Sequence, residues 1–397
     1  MTSVVTPRRA RSAAKARQPV NVGYRVCSRC IMDTSDPDID FHDDGTCNHC
    51  RRYAERAESE IFRGDMAERH LNSLVAEMKR NGRKREYDCI IGVSGGVDST
   101  MVAYHVRRLG LRPLALHLDN GWNSELAVNN IHTTLAALDI DLQTHVIDWE
   151  EFRDLQLSFL RASVPNCEVP TDHAINALLI KTAARTGIRY VLHGGNVATE
   201  SIMPLAWSYY NQDLRHLRAI HRRFGSRKLK TLPQITFAGF VSAILVRGVR
   251  YIPILNCLDY NKDKAKALIQ SDLGWRDYGG KHFESIYTRF FQGYILPTKF
   301  GFDKRRAHLS TLICAGEIGR DEALREMDKE PYPAVELARD REYVPKKLGI
   351  TNDEFEQIMS APPRQHGDYP SNRFLFHDLQ GLRERFKRIA TARKSGE

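Results

Sequence analysis

Between an apolar run, Cys89-Ile90-Ile91-Gly92-Val93, and a helix-period stretch over residues 101–109, the chain reads Ser94-Gly95-Gly96-Val97-Asp98-Ser99-Thr100. A short apolar run of this kind makes a buried strand, so the string falls at a strand-to-helix turn. Two glycines let the backbone turn tightly and come close to an anion. The helix that follows aims free N–H groups at the same point. Ser94, Ser99 and Thr100 add hydroxyl donors, and Asp98 can hold a magnesium ion against phosphates. The lysine of a GxxxxGK[ST] loop is missing and GxGxxG is absent, so kinase-type and dinucleotide-type loops are both excluded. The bland alternative is a glycine turn that merely caps a helix.

The rest of the chain supplies a sheet for this turn. Residues 113–118 read as a second strand ending at Asp119-Asn120-Gly121. Residues 190–193 are another, running into Gly194-Gly195-Asn196, and residues 251–255 a further one. Helices fall between them, among them residues 175–186 with Gly187 as C-cap. This alternation predicts an α/β fold, doubly wound around a mostly parallel sheet. Such sheets bind ligands at the carboxyl ends of their strands, where all three polar tips lie. The expected organisation is a basic tail (1–22), a four-cysteine module (23–53), a helical linker (54–84), the α/β domain (85–260) and a helical C-terminal region (261–397). The end, residues 378–394, reads as a basic amphipathic helix with Leu379, Leu382, Phe386 and Ile389 on one face.

Cys27-x2-Cys30 and Cys47-x2-Cys50 each place two thiolates on one side of a tight turn, and two such knuckles complete a tetrahedron around Zn²⁺. A closed site of four thiolates leaves no open position, which makes it structural, in a zinc-ribbon-like module; the alternative is four free thiols. Cys89 and Cys314 fall in apolar runs and read as core. Cys167, in Pro165-Asn166-Cys167-Glu168, falls in a loop and is a candidate reactive thiol.

Residues 274–306 mix aromatics, glycines and cations, in Tyr278-Gly279-Gly280-Lys281-His282-Phe283-Glu284-Ser285 and in Lys299-Phe300-Gly301-Phe302-Asp303-Lys304-Arg305-Arg306. That composition suits a pocket for an anionic substrate, an ordinary helical cap on the sheet being the alternative.

The Ser-Gly-Gly-Val-Asp-Ser string resembles the pyrophosphate loop of the ATP-pyrophosphatase superfamily, which includes GMP synthetases, asparagine synthetases and tRNA thiolases. The resemblance implies that the loop (Ser94, Gly95, Gly96, Val97, Asp98, Ser99, Thr100) grips the leaving pyrophosphate, with Asp119 and Gly194-Gly195-Asn196 at the nucleotide. Over residues 24–335 the likeness narrows. Cys-x2-Cys-Ile-Met-Asp-Thr-Ser-Asp-Pro, the loop, His-Gly-Gly-Asn, Tyr-Gly-Gly-Lys-His-Phe-Glu-Ser and the run from Leu296 to Ser310 occur in the order found in the N-acetyl sugar amidotransferase family. That resemblance implies adenylation of an acetamido oxygen with ATP and Mg²⁺, followed by displacement with ammonia. Lys281, His282 and Glu284 become candidates for proton handling. Lys299, Arg305 and Arg306 become cations for the phosphates. It also implies a separate glutaminase and a barrel-type ammonia-channelling subunit. No G-x-C-x-G elbow is present and Thr2 follows the initiator, so no glutaminase nucleophile is expected in this chain.

Charge discriminates little. Of the formal net +10, five charges (Arg8, Arg9, Arg11, Lys15, Arg17) belong to the first twenty residues, which hold no acid and no apolar run and so read as neither structure nor secretory signal. No stretch approaches the roughly 20 apolar residues of a membrane span. Residues 237–246 come nearest and read as a buried helix. A cytoplasmic protein is expected. A run of cations from Arg215 through Arg218, Arg222, Arg223, Arg227 and Lys228 to Lys230, after Trp207, Tyr209 and Tyr210, keeps a tRNA-thiolating enzyme as the competing reading. A solvated helix is the simpler account of it, and nucleic acid is not the expected partner. A third reading is a zinc-ribbon binding protein with a vestigial nucleotide site, against which the intact aspartate of the loop argues.

Overall fold

The computed structural model describes residues 23–280, 283–378 and 381. In chain order its main elements are α1 (Asn48–Glu60), α2 (Gly64–Gly82), β1 (Cys89–Gly92), α3 (Val97–Arg108), β2 (Pro113–Asp119), α4 (Glu125–Ala137), β3 (Asp141–Val146), α5 (Trp149–Ala162), α6 (Val169–Thr186), β4 (Tyr190–His193) and α7 (Val197–Glu200). There follow α8 (Leu214–Phe224), α9 (Phe237–Leu245), β5 (Arg250–Pro253), α10 (Lys262–Leu273), α11 (Ile286–Phe290), α12 (Lys304–Ala315), α13 (Arg320–Met327), α14 (Ala334–Leu348) and α15 (Asn352–Ser360).

The five strands form one sheet in the order β3-β2-β1-β4-β5, every pair parallel. Alternate residues of a strand face opposite sides. Accordingly Ile90, Leu114, Leu116, Leu118 and Val191 belong to one apolar cluster, and Cys89, Ile91, Ala115, Tyr190 and Leu192 to the other. Helices α5 and α6 contribute to the first cluster, α2, α3 and α10 to the second. The doubly wound α/β fold expected from the alternation is therefore present, with the cysteine module before it and helices after it.

Three local findings differ from the sequence reading. Strand β3 carries no apolar run, because it is the sheet edge and most of its residues are exposed. Strand β5 ends at Pro253, and a 3₁₀ turn occupies Ile254–Cys257. The apolar stretch at 237–246 is helical but not buried. Only Ala243 of α9 is enclosed, and Leu245 and Val246 are 72% and 80% exposed. The helix lies on the outside of α6, a layer away from the sheet. Among the described residues no helix is long and apolar enough to cross a membrane. Between α11 and α12 the chain makes a π-helical segment, Phe291–Phe300, with Pro297 inside it. Proline has no N–H for an α-type ladder, which suits a widened turn.

Candidate active site and metal centre

Strand order reverses direction between β1 and β4, and a crevice opens there at the strands' carboxyl ends. The loop after β1 and the loop after β4 form its two lips. Gly95 has φ +79°, and a Cβ on it would lie 2.5 Å from the carbonyl oxygen of Ala127. A Cβ on Gly194 would lie 2.8 Å from the carbonyl carbon of Asp98. Both glycines are therefore set by close backbone approach: Gly194 joins the two lips, and Gly95 seats the phosphate loop on α4.

Inside the phosphate loop, Ser99 Oγ donates to Gly96 O at 3.1 Å and accepts the N–H of Ser94 at 3.3 Å. Trp275, buried, donates its indole N–H to Gly95 O at 2.8 Å, so the loop is held from outside as well. Thr100 is turned inward at 3% exposure and offers no donor to the crevice, contrary to the expectation from sequence. The others open onto a cavity of about 450 Å³. Its walls are Ser94, Gly96, Val97, Asp98 and Ser99 from the loop, Gly194, Gly195 and Glu200 from the β4 side, Lys262, Asp263 and Lys266 from α10, and Tyr278, Gly280 and Glu284 from the segment after α10.

Asp98 accepts a hydrogen bond from Tyr260 Oη and lies 3.8 Å from Lys262 Nζ. Burial and the Asp98 carboxylate push the Tyr260 phenol well up, so it remains a donor. Asp98 and Glu200 are carboxylates on opposite lips, a donor set that suits Mg²⁺. His193 is held neutral by burial, and its Nδ1 accepts the Gly195 N–H at 3.2 Å. Asn196 shapes the loop without facing the cavity: its Oδ1 caps α7 through the Thr199 N–H and its Nδ2 bonds Gly194 O. Asp119 likewise shapes its own turn, accepting the Gly121 N–H at 2.8 Å, and is not part of the cavity wall.

Residues 275–280 and 283–285 both reach the phosphate loop, with Tyr278 and Glu284 beside Gly96. The first stretch is held by Trp275 on Gly95 and Arg276 on Asn130. The second is held at Glu284, whose carbonyl accepts the Ser124 N–H at 2.9 Å, with Ile286 N–H on Trp122 O. Glu284 is thereby brought to the loop, whereas Lys281 and His282 lie outside the described residues.

Lys299, Arg305 and Arg306 are not brought to the cavity at the phosphate loop. Lys299 Nζ caps the carboxyl end of α15, bonding Ile358 O and Ala361 O at 2.5 and 2.7 Å. Arg305 bonds Asp303 at 2.7 Å and Lys329 O at 2.9 Å. Arg306 bonds Ile31 O at 2.7 Å and Asp33 at 3.1 Å, in the cysteine module. Among the described residues the cations at the cavity are Lys262 and Lys266, which the sequence reading missed. Their signal was present: an N-cap, Asn261, after a strand, followed by lysines at i and i+4, which share one helix face.

The four paired cysteines converge. Sulfur–sulfur distances are 3.8 Å for Cys27–Cys50, 3.7 Å for Cys30–Cys47 and 3.8 Å for Cys47–Cys50, and all four sulfurs lie within 4.8 Å of one another. A tetrahedron with Zn–S bonds of about 2.3 Å has edges of about 3.8 Å, so the set fits zinc. None of the eight cysteines is in a disulfide. Cys167 is sealed at 1% exposure with its sulfur against Phe159 O and Val164 O, and burial pushes its thiol up. It is not the reactive thiol its loop position suggested.

The basic stretch 215–230 is bound down by acids of α5. Asp154 accepts N–H groups of Ser226 and Arg227 and pairs with His221, and Glu151 accepts N–H groups of Lys230, Thr231 and Leu232.

Residues 284–383 match the family model described as LPS biosynthesis protein WbpG-like, C-terminal domain. No curated protein matches the chain. Among solved structures, the chain is similar to an NH3-dependent NAD synthetase from Campylobacter jejuni in complex with the nitrate ion, at 13% identity over 52% of this chain and 85% of that one, with a TM-score of 0.28. It is similar to NMN synthetase from Francisella tularensis at 15% identity, over 57% and 92%, with a TM-score of 0.27. A predicted subunit of tRNA methyltransferase from Methanocaldococcus jannaschii is 12% identical over 46% and 75%, with a TM-score of 0.27.

Proposed function

We propose that this chain is an ATP-dependent amidotransferase that converts the acetamido group of an N-acetylated sugar, a nucleotide sugar or nonulosonic acid, into an acetamidino group. The observation that carries the reading is a juxtaposition. Glu284, the first residue of the segment matching the WbpG-like domain, lines the same cavity as the Ser94–Ser99 phosphate loop.

The chemistry follows from what an amide lacks. Its oxygen is a poor leaving group, so it first attacks the α-phosphorus of ATP and pyrophosphate departs. Loop N–H groups, Ser94, Ser99 and the α3 N-terminus receive that pyrophosphate, and Lys262 and Lys266 neutralise the charge that builds on it. Asp98 and Glu200 would hold Mg²⁺, which supplies further neutralisation. Ammonia then adds to the activated carbon, loses a proton, and AMP leaves with the former amide oxygen. Glu284, which lines the cavity, takes that proton in this reading, with Lys281 and His282 as further candidates from the sequence.

The ammonia comes from a separate glutaminase, delivered through a barrel-type subunit. Support comes from the four thiols outside the CxxC pairs: burial pushes Cys257 up to about 11 and raises Cys89 and Cys167 further, so these three are not activated, and Cys314 is buried against Cys50 of the cysteine cluster. The same burial of Cys167 argues against tRNA thiolation.

The test is to supply the purified chain with ATP, Mg²⁺, ammonium and an N-acetylated nucleotide sugar, following AMP and sugar mass together. AMP should form in step with a sugar lighter by a single mass unit, and Asp98→Ala should abolish both while leaving the fold intact. Robust glutamine-dependent turnover by this chain alone, or sulfur transfer into tRNA, would overturn the reading.

A further inference from the structure

The four sulfurs of the cysteine cluster are not equally supported. Cys27 Sγ accepts two backbone N–H groups, from Cys30 at 3.4 Å and Cys47 at 3.3 Å. Cys30 Sγ accepts the N–H of Met32 at 3.4 Å. The second knuckle is different because it opens α1. There the N–H groups of Cys50 and Arg51 go to the Cys47 carbonyl oxygen, and among the described residues no backbone N–H reaches the sulfur of Cys47 or of Cys50. What reaches the Cys50 sulfur instead is Cys314, whose thiol donates to Cys50 Sγ across 3.7 Å, from a position 264 residues away in the chain.

Cys314 belongs to a stripe. Arg306, Ser310 and Cys314 follow one another at i, i+4 and i+8 on α12, which places them on one face. Each touches the cysteine module: Arg306 at Asp33 and Ile31 O, Ser310 Oγ at the Ile31 N–H, Cys314 at Cys50. Arg320, at the start of the next helix, adds bonds to Cys27 O and Cys30 O at 3.3 Å. The helix doing this lies inside the segment that matches the WbpG-like domain.

We infer that Cys314 is a fifth sulfur of the metal centre, a positioning thiol that donates S–H to the Cys50 thiolate and keys the C-terminal helical region to the metal. The inference rests on reading the four-cysteine cluster as a zinc site. Cys314 is not a fifth ligand, since structural zinc is four-coordinate and its sulfur abuts one vertex only. Its effect is on charge. Four thiolates around Zn²⁺ carry net negative charge, and each donated hydrogen bond spreads it, making a ligand harder to protonate and lose. For Cys50 that donor comes from the other end of the chain, so metal retention and docking of α12 support each other.

The test uses the full chain loaded with zinc, measuring metal transfer to a chromogenic chelator, with the absorption of a cobalt-substituted form as second readout. Cys314→Ala should release zinc about 10-fold faster or more, the scale seen when an outer hydrogen-bond partner of a metal ligand is lost. Its sulfur-to-cobalt absorption should also shift. Cys314→Ser, which keeps a donor, should restore most of both. Should the alanine variant not fold, Cys314→Val against Cys314→Ser makes the same comparison. Release rates and cobalt spectra equal to the unaltered protein in the donor-less variants would reduce Cys314 to packing. An unaltered chain that takes up neither zinc nor cobalt would overturn the zinc reading itself, a distinct outcome.

Discussion

At the residue scale the phosphate loop was legible because its chemistry is local. Ser94 to Ser99 must bend, donate and follow a strand, and each requirement leaves a mark in the sequence. The cations were not legible, because an arginine's partner is decided by tertiary structure. Arg305 and Arg306 lie in the motif that resembles the family yet hold Asp303 and Asp33, while Lys262 and Lys266, outside that motif, line the cavity. This gives a sharp contrast. Lys262 lines the cavity, whereas Lys264 on the same helix is exposed away from it. Lys262→Ala should lower kcat/KM for ATP about 100-fold, as loss of one charge-stabilising group commonly does. Lys264→Ala should leave it within a factor of about two, since surface changes away from a site are near neutral. Steady-state AMP formation checks both, and equal effects would remove Lys262 from the phosphate site.

At the scale of elements, strands β1, β2 and β4 announced themselves as apolar runs because both their faces are covered. Strand β3 did not, because an edge strand with solvent on one side needs no such run. Helix α9 misled in the opposite way: its composition is that of a core helix, and its position is external. What links elements into a site includes the seating of the phosphate loop on α4, and Gly95 is the point of closest approach. Alanine there meets the Ala127 carbonyl and also adopts φ +79°. The left-handed conformation alone costs about 1–2 kcal/mol for a residue with a Cβ, and the clash adds to it. Gly95→Ala should therefore lower the urea midpoint measurably and abolish AMP formation. Gly279→Ala is the control: it has a positive φ but open space around it, so only the backbone cost applies and stability should fall less.

At the scale of the whole molecule, the last described stretch is sewn back onto the α/β layer by a buried histidine pair. His366 Nε2 accepts the Asn166 N–H at 3.3 Å, so its proton is on Nδ1 and is donated to His216 Nε2 at 3.0 Å. The proton of neutral His216 is then on Nδ1, which finds no partner among the described residues. Tyr209 stacks on the His366 ring at 4.4 Å, Phe159 and Tyr369 edge His216, and Asp213 is already engaged by Tyr209 and by the N–H groups of His216 and Asn372. Nothing in this packing welcomes a charge. Burial lowers His216 to about 4, and burial with the neighbouring imidazole puts His366 well below its ordinary value. Above pH 6.5 both rings are neutral folded or unfolded, and the pair costs nothing. As pH falls from about 6.5 toward 4, the unfolded chain takes up protons that the folded one refuses, so stability is lost by up to about 1.4 kcal/mol per pH unit for each ring. His173, lowered to about 4, contributes in the same window, so the pair must be isolated by difference. Unfolding free energies of the unaltered chain and of His366→Gln should converge as pH drops from 7 to 4.5, because glutamine has no proton to take up. Hydrogen exchange should meanwhile accelerate first at residues 364–372, the stretch held by Arg364 on Ser163, His366 on His216, Tyr369 on Ala162 and Asn372 on Asp213. Parallel pH profiles for the two proteins would show that the pair titrates normally in the folded state.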